Sequence, residues 1–114
     1  MSERILRVNS EIQKALSNII TYEMKNPLIK GLISVTSVDT TSDLDQCKVY
    51  ISIFDEKNRE EVFNQIKHSA GFIRRELAKA VDLRKVPFLT FYLDTSYDYG
   101  QKIEEAINKI NETK

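Results

Sequence analysis

The sequence predicts an α+β domain of two layers, a three-stranded sheet with helices on one face. Three observations carry that prediction. Two long stretches, about 4–24 and 59–81, repeat apolar residues at three- and four-residue steps. Three short runs, at 32–38, 47–53 and 88–93, are rich in β-branched and aromatic residues. The order is helix, strand, strand, interrupted helix, strand, helix, which segregates helices to one side of a small sheet. At 114 residues with three Gly and two Pro, the chain reads as a single domain, 1–114, with no long linker.

In the first helix Ile5, Val8, Ile12, Ala15, Leu16 and Ile19 form one stripe. Ser2 reads as its N-cap. Asn26-Pro27 ends it, because a residue before proline is pushed out of the α region. In the first strand, Ile33 and Val35 share a parity that Val38 breaks, and a bulge near Ser37 restores it. Residues 39–46 carry turn chemistry. Cys47, Val49, Ile51 and Ile53 then alternate with Lys48, Tyr50 and Ser52, a half-buried strand antiparallel to the first.

Asn58 reads as the cap of the next helix, whose stripe is Val62, Ile66, Ala70, Ile73, Leu77 and Ala80. Gly71 in its middle costs about 1 kcal/mol against Ala and marks a kink or a close approach. Pro87 blocks further helix. Leu89, Phe91 and Leu93 alternate with Phe88, Thr90 and Tyr92 in a third strand. Asp94 to Gly100 turns the chain, and Ile103, Ile107 and Ile110 mark a C-terminal amphipathic helix.

Composition narrows the function classes. Basic and acidic residues number 17 each, so the formal net charge is zero, but their distribution is uneven. Lys67, Arg74, Arg75, Lys79, Arg84 and Lys85 face only Glu76 and Asp82 in their stretch. Residues 1–30 are also basic on balance, while 31–66 are acidic. Charge gathered in segments acts locally, because salt screens over about 8–10 Å. One Cys and one His cannot build a disulfide or a four-ligand zinc site, which favours a reducing, cytoplasmic setting. No continuous apolar run suits a membrane span. No phosphate-binding glycine loop, dinucleotide motif or nucleophile elbow appears, so no cofactor, small-molecule substrate or catalysis is expected. His68 has no partner for acid–base work and reads as a surface residue. Cys47 reads as a small buried hydrophobe. Asp94 and Asp98 read as turn-makers.

Three stretches, taken together, resemble the ribosome-binding factor A family. The first is Asn26-Pro27 with the strand Ile33–Val38. The second is Ser42-Asp43-Leu44 ahead of Lys48-Val49-Tyr50-Ile51. The third, the most specific, is Ser69-Ala70-Gly71-Phe72-Ile73-Arg74, then Leu77, Leu83-Arg84, Pro87, Leu89, Phe91 and Asp94. The resemblance implies a type II KH-like domain in which a small-residue kink replaces the Gly-x-x-Gly loop of other KH domains. It also implies a cytoplasmic, monomeric, non-enzymatic factor. Such a factor binds 16S rRNA and the free 30S small ribosomal subunit, and assists late maturation and 5′-end processing of that RNA. Ser69 departs from the family's usual Ala, and Leu28 stands where the family often has Arg.

With Ile73 set toward the core, helical phase places His68, Gly71, Phe72, Arg75 and Lys79 on the outer side and Arg74 at the flank, while a kink shifts that phase and would leave Phe72 partly buried. Cations neutralise phosphates, a glycine admits backbone and an exposed ring stacks on a base. On pattern alone this is a solvated helix face. The resemblance turns it into an RNA-contact surface of Ser69, Gly71, Phe72, Arg74, Arg75 and Lys79, extended by Arg84 and Lys85. Ser69 has two readings, a phosphate contact or a bond back into its own helix. Arg4 and Arg7 on the first helix are a second candidate contact. Tyr50, Phe88 and Tyr92 share the outward strand parity. They read either as a stacking platform or, preferably, as rings paired across strands or lying under the last helix. The alternatives in function are a KH-like module for another RNA and a protein–protein adaptor using the open sheet face.

Overall fold

The computed structural model describes residues 3–24, 33–55 and 57–95. Helix α1 (Glu3–Asn18) leads into a π-helical turn (Ile19–Glu23). Strands β1 (Ile33–Thr40) and β2 (Gln46–Ile53) follow, then helices α2 (Arg59–His68) and α3 (Ala70–Ala80), and strand β3 (Phe88–Leu93). The sheet order is β1-β2-β3, with β1 antiparallel and β3 parallel to the central β2. Ser2, Asn26-Pro27, the 96–100 part of the last turn and the C-terminal helix expected at Ile103–Ile110 lie outside the described residues.

The strand parities act as expected. Cys47, Val49, Ile51 and Ile53 are all buried, as are Val35, Val38, Leu89 and Phe91. They meet Ile12, Leu16, Ile66, Ile73 and Leu77 from the helices in one core. The pairing of β1 with β2 jumps between Val35 and Ser37, so Thr36 is the extra residue that returns Val38 to the core side. β1 runs on through Asp39 and Thr40, which pair with Lys48 and Cys47, so the turn is shorter than turn chemistry predicts.

The end of the first helix departs from a uniform α stripe. Ile19 and Ile20 are both buried. Consecutive α-helical residues diverge by about 100°, and widening the last turn brings both toward the core. The Met24 N–H closes this turn on the Ile19 carbonyl at 3.1 Å. Ala80, expected on the apolar stripe, is exposed at the end of α3. Asn58 occupies the N-cap position of α2 without capping it. Its amide instead donates to Asp55 Oδ2 at 2.9 Å, and these bonds hold the Asp55 carboxyl below its usual range.

Polar side chains of α1 secure the β1 edge. Gln13 Nε2 donates to the Val35 carbonyl at the bulge (3.0 Å), and Asn9 Oδ1 accepts the Thr40 N–H (3.0 Å). An edge strand otherwise presents unpaired backbone groups. At the other end of the sheet Asp94 joins all three strands. Its N–H donates to Ile51 O (2.7 Å), its carboxylate accepts the Thr36 hydroxyl (2.7 Å) and its carbonyl accepts the buried Ser52 hydroxyl (3.1 Å). This structural work accounts for the carboxylate expected to make a turn.

Burial pushes the Cys47 thiol up, so its reactive thiolate is scarce at neutral pH. Iodoacetamide should leave Cys47 unmodified in the folded protein and label it only in denaturant, as mass spectrometry would show. Asn9→Ala strands the Thr40 N–H and should lower unfolding stability by about 1 kcal/mol, read as a lower urea midpoint at unchanged slope.

Candidate nucleic-acid interface

The interruption between α2 and α3 sits at Ser69, with φ −90° and ψ 9°. Its N–H is shared between the carbonyls of Gln65 and Ile66, both at 3.1 Å. Its hydroxyl donates back to Gln65 O at 2.9 Å. Of the two readings of Ser69, the structure has the back-bond, a geometry that bends helices. Ile73 and Leu77, both fully buried, then tie α3 to the core.

Gly71 therefore lies in the first turn of a new helix rather than mid-helix. It is exposed, and a Cβ built on it meets nothing within 4 Å. No neighbour within the described residues demands a glycine there. Phe72 is half-buried and packs on the core, so its ring is not the free outer face that uniform helical phase places there.

Arg74 is engaged internally. Its Nη2 donates to Val86 O at 2.8 Å and its Nε to Pro87 O at 3.2 Å. The guanidinium fork thus holds the loop between α3 and β3. Lys79 is exposed and pairs with Glu76 at 3.2 Å, a surface pair worth little. Arg75 is exposed and has no ion pair or hydrogen bond among the described residues.

The fold brings together two groups that are far apart in sequence. Arg4 and Arg7 of α1 line one recess with Arg84, Leu83 and Leu44. Arg4, Arg84 and Lys85 line a second with Ser42, Asp43 and Leu44. The hinge of both is Leu44, buried, with φ 63°. A left-handed leucine costs about 1–2 kcal/mol, which its burial offsets. The turn around it closes by Leu44 N–H to Thr41 O (3.0 Å) and Thr41 N–H to Gln46 O (2.9 Å).

The first recess balances Arg4, Arg7 and Arg84 against Glu3, Glu11 and Asp82. The second sets three cations against one carboxylate. That carboxylate, Asp43, accepts from the Thr41 hydroxyl (2.7 Å) and the Asp45 N–H (3.0 Å), which hold its carboxyl below the usual range. Lys85 pairs with Asp45 across the recess rim. The kink opens α3, the recess cations Arg84 and Lys85 follow its far end, and Arg75 and Lys79 are exposed along its length. Sequence reasoning named these cations but not their convergence. The one available signal was the apolar Leu44 inside a polar turn, which had to be buried against something.

With this geometry in place, likeness to known proteins is informative. The ribosome-binding factor A family profile matches residues 4–107. The chain belongs to the ribosome-binding factor A family. Ribosome-binding factor A of Clostridium tetani is 43% identical over 107 residues, covering 93% of this chain and 88% of its own. The crystal structure of ribosome-binding factor A from Thermus thermophilus superposes with a TM-score of 0.67 at 23% identity, over 78% of this chain and 93% of its own. Thermus thermophilus ribosome-binding factor A as fitted into a cryo-EM map of a 30S complex gives a TM-score of 0.65 at 23% identity, covering 76% of this chain and 91% of its own. The KH-like fold implied by the sequence is thus the fold of this family member.

Gly71→Ala should raise stability by about 0.5–1 kcal/mol, because helix propensity improves and the methyl meets open space. Arg74→Gln loses the fork on Val86 and Pro87. It should speed hydrogen exchange at the Phe88 amide, which donates to Asp45 O at 2.9 Å, and lower stability by about 1 kcal/mol.

Proposed function

We propose that this protein is a non-catalytic assembly factor that binds the free 30S small ribosomal subunit through 16S rRNA. It acts in the cytoplasm as a single-domain monomer, assists late maturation and 5′-end processing of that RNA, and departs before translation. The observation that carries the reading is the convergence of Arg4, Arg84 and Lys85, from opposite ends of the described chain, around the buried Leu44. Family membership supports it, as does a relative of the same fold fitted into a map of a 30S complex.

The mechanism is differential binding. A protein that prefers one RNA conformation shifts the RNA toward it by the difference in affinity, with no bond chemistry. Arg4, Arg7, Arg84 and Lys85 grip phosphate at one end of α3, with Arg75 and Lys79 along its length. At the other end the bare backbone at Gly71 admits a sugar–phosphate chain that a side chain would hold off. Ser69 and Phe72 shape this end from inside, and Arg74 positions the loop that carries Arg84 and Lys85. No helix among the described residues is long and apolar enough to cross a membrane.

Sucrose-gradient fractionation tests the assignment. The wild-type protein should peak with free small subunits and be absent from whole ribosomes and polysomes. Arg4→Glu with Arg84→Glu should abolish that co-sedimentation in a folded protein, as should Arg75→Glu with Lys79→Glu. Gly71→Ala should weaken it despite a more stable fold. Normal co-sedimentation of both charge-reversed doubles would rule out this interface.

A further inference from the structure

The face of the sheet turned away from the helices is covered by no other element among the described residues, and three rings lie on it. Phe88 is 60% exposed and Tyr92 40% exposed, two of the four large apolar side chains left in solvent among the described residues. Tyr92 stacks on Tyr50 across the strands, with centroids 5.4 Å apart and planes 24° from parallel. Pairing across strands, one of the two readings favoured over a stacking platform, thus holds for Tyr50 and Tyr92, while Phe88 has no ring partner among the described residues.

The outward row on β2 is Gln46, Lys48 and Tyr50, in register with Phe88, Thr90 and Tyr92 on β3. Neither row contains a carboxylate, in a chain with 17 of them. Its one charge is Lys48. The flanking carboxylates are Asp39, which lies opposite Lys48 on β1, and Asp94, which accepts the Thr36 hydroxyl.

Both rows begin at the end of the sheet where the cationic recess lies. β2 starts directly after Leu44 and Asp45, and β3 starts three residues after Lys85. Phe88 is held there rigidly. Its N–H is bonded to Asp45 O, and the preceding Val86 and Pro87 carbonyls are held by Arg74.

We propose that this aromatic face stacks the unpaired bases of a single-stranded RNA segment whose phosphates lie in the Arg4–Arg84–Lys85 recess. The inference rests on the RNA-binding reading above and names the kind of RNA it takes. Phe88 and the Tyr92–Tyr50 pair are about 13 Å apart along the strand, a span of roughly two or three splayed nucleotides. Stacking needs only the π face of a base, so the site accepts any base but requires it to be unpaired. Lys48 between the rings, and the recess at the same end of the sheet as Phe88, supply the charge that a purely apolar docking face lacks.

The chain contains no Trp, so Phe88→Trp places a single reporter on this face. A short unstructured oligouridylate should quench its emission, and a fully paired RNA hairpin should not. Phe88→Ala, folded by circular dichroism, should bind the oligouridylate about tenfold more weakly and the hairpin as wild type does. The face is excluded if the tryptophan is unquenched, or quenched equally by the hairpin. It is also excluded if Phe88→Ala and Tyr92→Ala keep wild-type affinity while Arg84→Glu loses the oligonucleotide, a result that leaves the phosphate site standing. If Arg84→Glu also binds normally, the recess is excluded along with the face; if the wild-type protein binds neither the oligouridylate nor the hairpin, the RNA reading itself falls.

Discussion

The period-two alternation of the central strand is the constraint on which the rest of the structure depends. Cys47, Val49, Ile51 and Ile53 all point to one side and are almost wholly buried. A sheet with one apolar face takes its helices on that face alone. Both the α1 stripe and the α2–α3 stripe must therefore share one layer, and α3 must meet α1 side by side. This crowding leaves three kinds of surface for function: the outer sides of the helices, the sheet ends and the open sheet face. The binding surfaces argued above occupy one of each.

Within that frame, Arg74 links packing to function. It stands on the same helix as Arg75 and Lys79, but its fork faces the loop before β3 and binds two carbonyls there. Those carbonyls would otherwise be orphans at a strand entrance, beside the buried Pro87. By satisfying them Arg74 fixes where Arg84, Lys85 and Phe88 emerge. A guanidinium suits this role, because its planar fork makes two bonds with little further loss of rotamer freedom. On the proposed function, an arginine that the family resemblance assigns to RNA acts at one remove, through the loop it holds.

Periodic features of the fold were legible in the sequence, and contacts between distant segments were not. Strand parity, helix stripes and the bulge at Thr36 follow from repeats of two and three-to-four residues, which the sequence displays directly. The helix break at Ser69-Ala70-Gly71 was legible because small residues cluster there. The partial burial of Phe72 was one of two readings of that break, and what Ile73 and Leu77 find beneath them decides for it. The cations of the candidate site were named from charge distribution. Which of them are free, which pair with Glu76 or Asp45, and which hold backbone depends on tertiary neighbours that no local pattern encodes.

A chain with no net charge must bind a polyanion by arrangement rather than by total charge. The acids of the turn between β1 and β2, Asp43 and Asp45, sit beside the recess cations and at first sight cancel them. The turn's own geometry prevents much of this. Asp43 is turned onto Thr41 and the Asp45 amide, and Asp45 itself takes up Lys85 at the rim. Arg4 and Arg84 keep no such partner among the described residues. With screening over about 8–10 Å, an approaching phosphate feels these arginines and the open rim rather than the chain's average. With 17 acids balancing 17 bases, long-range attraction is weak. On the proposed function, recognition then falls to features that act only at contact: backbone bared at Gly71, a rigidly held loop, and rings that reward an unpaired base.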